Sequence, residues 1–190
     1  MGLLDNKRHP ILSGVLLLLI LVGSYLIVAI PFKVMEVIPG FTDIRPVMLL
    51  QPIYGLFFGI IGCLASAISN LICDIVSDSL RWSSIGGFIA NFLGPLVFYL
   101  FWTRISKKDF NIRNAKNLLI YCAVTLFSAL VQTVIITPMV KLIYPDIQGT
   151  LFALSVMANN TLFPIFLGIP IIILLQEELG LHPKTKKERQ

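Results

Sequence analysis

At 190 residues, 56% hydrophobic and only 13% charged, with a mean hydropathy of +0.87, the chain lacks the polar surface that a soluble domain of its size requires. This excludes a free-standing soluble enzyme and points to an integral membrane protein, and the net charge of +5 reads as loop charge that sets topology, not as nucleic-acid binding. Cys63, Cys73 and Cys122 sit in apolar stretches without CxxC spacing and imply no disulfide framework.

The charge-free windows run 10–32, 46–73, 82–103, 117–140 and 147–176, each reaching the roughly 20 residues that cross about 30 Å of hydrocarbon. Helices are therefore expected, and not a barrel. The first window exceeds a signal-peptide core and lacks a small-x-small cleavage site, so it reads as a retained helix over Pro10 to Ile30, closed by Pro31. A loop with a Pro39-Gly40 turn follows, and Val37, Ile38 and Phe41 make it apolar enough to pack over something.

The next run holds 28 uncharged residues between Arg45 and Asp74, with glycines in its middle. Charge decides how often it crosses, because Lys and Arg gather on the cytoplasmic side. A single crossing would strand the basic segment Arg104 to Lys116 outside. A double crossing puts eleven of the 15 basic residues inside and leaves Lys33, Arg45, Arg81 and Lys141 outside. The run is accordingly read as a short second helix, Pro46 to Phe58, and a third, Ile61 to Ser77, with Gly59 and Gly62 bracketing the turn. The second spans only about 20 Å and contains Pro52, which calls for a protein-lined environment.

Helix 4 is expected over Ile85 to Trp102, helix 5 over Leu118 to Val140, and helix 6 over Leu151 to Leu175 with kinks at Pro164 and Pro170. The expectation is an all-α membrane protein of six transmembrane helices. It is a single domain over 1–190, with cytoplasmic tails at 1–9 and 177–190.

The depth of the polar residues carries the functional signal. Gln51, Asn70, Asp74, Asn91, Gln132, Asn159 and Asn160 all fall in the outer half of their helices. Such side chains are costly in lipid and turn into the bundle, so five helices supplying them at one depth suggest an outward-facing cavity. The alternative is interhelical hydrogen bonding that only fastens the bundle. Arg45 serves either a ligand anion or the interface, and Asp74 either a ligand donor or Arg81. Phe163, four residues beyond Asn159, favours Asn159 over Asn160 as the cavity residue. Tyr54, Phe41 and Trp82 supply ring-stacking surface or an interfacial belt. Gly55 and Gly59 form GxxxG and Gly62 continues a low surface, either for internal packing or for docking another membrane protein.

No GxxxxGK[ST] phosphate loop is present, and His9 and His182 both fall in cytoplasmic segments, against an intramembrane Ser-His protease or a His-based metal site. No acidic relay crosses the membrane. No catalytic, metal or cofactor site is expected.

The run RPVMLLQPIYGLFFGIIGCLASAISNLICDI, followed by GGFIANFLG at Gly86 to Gly94, resembles the substrate-binding S components of energy-coupling factor (ECF) vitamin transporters. The likeness covers nearly the whole chain, including the short second helix and the long first loop. It implies a bacterial plasma-membrane protein that binds a vitamin outside and topples to deliver it when docked on a membrane coupling subunit driven by two cytoplasmic ATPases. Helix 1 lacks the AxxxA signature many members carry and offers only Gly14, Gly23, Ser24 and Ala29. Gly14 and Gly23 with Gly55, Gly59 and Gly62 are therefore taken as the docking face. The N-terminus MGLLDNKRH does not match the Met-x-His site of metal-specific members, which favours an organic vitamin. Cobalamin, whose amides would exchange hydrogen bonds with Asn and Gln, is the leading candidate, with a queuosine precursor, pyridoxine and folate open.

Overall fold

The computed structural model describes residues 10–33, 35–38, 42–106 and 110–183. The chain is helical throughout, apart from one small ribbon. Helix α1 (Pro10–Ala29) ends in a tight turn at Ile30–Phe32, where Pro31 can no longer donate to the helix. Strands β1 (Glu36–Ile38) and β2 (Thr42–Asp43) pair antiparallel. A tight turn (Pro46–Leu49), helix α2 (Leu50–Ile53) and a wide turn (Tyr54–Phe58) then lead into α3 (Gly59–Val76). The remaining helices are α4 (Ser84–Leu100), α5 (Ala115–Ile143), α6 (Gly149–Phe163) and α7 (Ile169–Glu177).

Five helical runs are long and apolar enough to cross a membrane, the second being Pro46–Val76. That makes the chain a multi-pass membrane protein. Its second run is not straight. Gly59 has φ 59° and ψ −134°, outside any helical region, and Gly62 abuts the carbonyl oxygen of Tyr54. The Arg45 Nη1 donates to Asn70 Oδ1 at 3.2 Å, whereas 25 residues of unbroken helix would hold them about 38 Å apart. The run is therefore two limbs folded back on each other at Gly59.

The short limb is enclosed. Pro46 to Leu49 and Gln51 to Leu56 are all buried, packed against α4, α6 and the wide turn before α7. A helix carrying Pro52 survives there because protein, not lipid, surrounds its freed backbone groups. Around it α3 packs on α1 and α4, α4 on α5, and α5 on α6.

The small residues of this limb have a different use from the expected docking. A Cβ on Gly55 would lie 2.1 Å from the Pro95 carbonyl oxygen, and one on Gly62 would lie 2.2 Å from that of Tyr54. Both glycines let backbones touch inside the bundle, while Gly59 supplies the positive φ and faces the Tyr99 ring. Gly55 and Gly62 are thus internal and not free for a partner, while Gly59 is half-buried at the hinge. Gly23 has no atom near its missing Cβ, Gly14 meets only Ile61 at 4.0 Å, and Ile11, Leu12, Leu19 and Ile27 stand exposed on α1.

The sixth helical run continues from α6 to α7 through a wide turn at Pro164–Gly168, which begins at one of the two prolines where kinks were expected. The Tyr121 hydroxyl donates to the Pro164 carbonyl at 2.9 Å. Next to it, Phe98, Tyr121, Phe110 and Trp102 form a continuous aromatic column, with ring centroids 4.8 to 6.4 Å apart. The column fills the bundle near the Gly59 end. Gln176 Nε2 donates to the Phe110 carbonyl at 2.7 Å and Arg113 forks onto Glu177, so the loop before α5 is fastened to the end of α7. The Glu177 carboxylate raises the pKa of the exposed Arg113 guanidinium above its ordinary value.

Candidate functional site

The polar residues converge at the end of the bundle opposite the Gly59 hinge. There they line an open cavity of about 130 Å³, room for on the order of ten waters. Its floor is an amide cluster. Gln51 and Gln132 exchange reciprocal hydrogen bonds at 3.0 and 2.9 Å, and Gln51 also donates to Asn91 Oδ1 at 3.2 Å. Asn91 in turn donates to the Gly87 carbonyl at 2.9 Å. Gly94 makes room for the pair, since a Cβ there would lie 2.5 Å from Gln51 Oε1 and 2.6 Å from Gln132 Nε2.

One wall is charged. Lys33, at the end of α1, lies 3.2 Å from Asp74 Oδ1 and 3.8 Å from Asp43, while Arg45 Nε lies 2.5 Å from Asp43 Oδ1. Burial pulls the pKa of the Arg45 guanidinium down, but Asp43 beside it more than restores it, so the group stays charged. The four charges tie Lys33 and residues 43–45 to Asp74 of α3. Asn159 ties the same segment to α6, accepting from the Arg45 backbone N–H at 2.8 Å and donating to the Asp43 carbonyl at 2.9 Å. Residues 43–45 thus form a strap at the edge of the cavity. Helices α5 and α6 contribute the apolar Ile136, Val140, Phe152 and Val156 to the lining beside their amides Gln132, Asn159 and Asn160.

Of the residues singled out from sequence, Arg45, Asn70, Asp74, Asn91, Gln132, Asn159 and Asn160 line this cavity. Gln51 lies beneath it, in the floor cluster. Tyr54 lies elsewhere, donating to the Leu21 carbonyl at 2.6 Å and meeting the Ser24 hydroxyl at 2.8 Å, so its ring belongs to the contact between α1 and the short limb. Trp82 is 75% exposed and does not line the cavity. Phe163 packs against the core and not on the wall. Phe41 lies outside the described residues. Asp74 faces Lys33 across the strap, the partner that sequence spacing did not offer.

The two neighbouring asparagines divide their work. Both line the cavity, but Asn159 spends its amide on the strap, whereas Asn160, 7% exposed, has no hydrogen-bond partner for its Oδ1. Lys33, Asp43 and the apolar lining residues were not visible as site residues. The only signal for Lys33 and Asp43 was their closeness to helix ends, where charge is ordinary in any membrane protein.

No family model, curated protein or solved structure matches this chain.

Proposed function

We propose that this chain is the ligand-capturing membrane subunit of an ECF-type importer in a bacterial plasma membrane. In this reading both limbs of the hairpin cross, giving six spans with both termini in the cytoplasm. The cavity faces outward, and a membrane coupling subunit with two cytoplasmic ATPases supplies the energy. The chain itself catalyses no reaction. The single observation that supports the reading is that polar side chains from several helices gather around one open cavity, while the rings of Phe98, Tyr121, Phe110 and Trp102 pack on one another away from it. A pocket of that form captures and does not conduct. With Gly55 and Gly62 occupied internally, the exposed face of α1 that carries Gly23 is the docking side.

The test is purification of the full chain in mild detergent, followed by mass spectrometry of what accompanies it. A small molecule released on denaturation, and ATPase subunits recovered with the protein, are expected. A second reading, a structural subunit of another membrane complex, is favoured by the Gln51–Gln132 pair, which satisfies itself without a ligand. Recovery of neither ligand nor ATPases would leave that reading standing alone.

A further inference from the structure

Resting on the capture reading, we infer that Asn160 is the side chain that selects the captured molecule, its carbonyl accepting a hydrogen bond from an N–H or O–H group of the ligand. The other amides of the cavity hold the protein together. The division follows from where each amide spends its hydrogen bonds. Gln51 and Gln132 bond each other. Asn91 accepts from Gln51 at 3.2 Å and from the Tyr25 hydroxyl at 3.4 Å, and donates to the Gly87 carbonyl. Asn70 accepts from Arg45, and Asn159 uses both ends of its amide on the backbone of residues 43 and 45. Among these amide oxygens, Asn160 Oδ1 alone has no partner.

A buried carbonyl without a donor has given up water for nothing, which is costly. Five side-chain atoms among the described residues are in that position, and four of them, the hydroxyls of Ser66, Ser69, Thr137 and Thr161, belong to residues outside the cavity lining. Asn160 is the one that lines it. Its oxygen is turned away from water here, yet it has no bond to break on turning toward a ligand, and the last torsion of an asparagine is broad. Asn159 would have to release the strap to do the same.

Helix register provides the approach. Phe152, Val156 and Asn160 are spaced by four along α6, so they share one face, and all three line the cavity. A molecule lying against Val156 has the Asn160 amide one turn away. If it carries a donor, the carbonyl is satisfied on binding. If it does not, the carbonyl stays unpaired, and that difference is the basis of selection.

The experiment makes two measurements on the full chain in detergent. The first uses protein washed free of small molecules and compares the melting temperatures of wild type, Asn159→Leu and Asn160→Leu. Asn160→Leu is expected to melt at or above wild type, since it removes a buried group without a partner, and Asn159→Leu below it. Asn160→Ala, which adds no volume, repeats the reading if leucine does not fit. Both Asn160 variants melting as low as Asn159→Leu would give the amide a structural bond and overturn the inference. The second measurement titrates riboflavin, biotin, pyridoxine and nicotinamide, each beside the form in which its N–H or O–H donor is methylated. A probe that binds is expected to lose about three- to tenfold in affinity on methylation or on Asn160→Leu, and little more when the two are combined. Equal affinity of wild type and Asn160→Leu for a bound probe, additive losses, or equal release of a co-purified small molecule from both proteins overturns the inference while capture stands. Binding of no probe, with no small molecule released from unwashed protein, overturns capture and the inference together.

Discussion

Asn159 and Asn160 are adjacent in sequence and serve opposite purposes, one holding the strap and the other facing the cavity without a partner for its oxygen. Asn159→Leu removes both bonds to the strap backbone, leaving the Arg45 N–H and Asp43 carbonyl to find new partners. A destabilisation of about 1–3 kcal/mol is expected, with faster amide exchange confined to residues 43–45, read by hydrogen-exchange mass spectrometry. Unchanged exchange there would show that the strap is held by its charges alone. Gly94→Ala tests the floor, because its methyl would displace the Gln51–Gln132 pair. A loss of about 1–3 kcal/mol in thermal unfolding is expected, the usual range for overpacking. The asparagines and glutamines were legible in the sequence because an amide inside an apolar helix is costly and stands out. Lys33 and Asp43 were not, because charge at a helix end costs little, and the pairing of Lys33 with Asp74 joins residues far apart in the chain.

The hairpin is the element on which the rest depends. Its turn was legible from charge parity alone, and its glycines from composition, but their role was not. GxxxG spacing says that backbones approach closely and leaves open which backbones. Here Gly55 meets Pro95 of α4 and Gly62 meets Tyr54 of its own hairpin. Gly55→Ala and Gly62→Ala are therefore expected to reduce the yield of folded protein, measured by size-exclusion chromatography and melting temperature. A docking role would instead leave a stable, ligand-binding monomer that fails to recruit partner subunits, and that outcome would refute internal packing. The short limb also explains how Pro52 is tolerated: the limb is buried on all sides, so a helix of this length need not meet lipid.

Across the whole bundle, polar and aromatic residues are segregated by depth, the cavity and strap at one end and the aromatic column at the other. If both limbs cross, Met35→Cys, Ser79→Cys and Gln148→Cys should label together from the outside in intact cells, and Asn111→Cys only after permeabilisation. Labelling of Met35 and Ser79 from opposite sides would break the six-span topology. The cavity's size was out of reach of sequence, since it is the small remainder left after large side chains pack, and one displaced helix changes it severalfold.

Hydropathy, proline and glycine placement, and the distribution of Lys and Arg were enough to give a helical multi-pass protein, a doubled-back second run and an end of the bundle rich in amides. These are additive properties of segments, each set by transfer of a residue between water and lipid. Which amides are spent on one another, which cations close on Asp43 and Asp74, and that Gly55 and Gly62 face inward came from the packed fold. Those depend on distances between residues remote in sequence, and such distances exist only once the helices have packed.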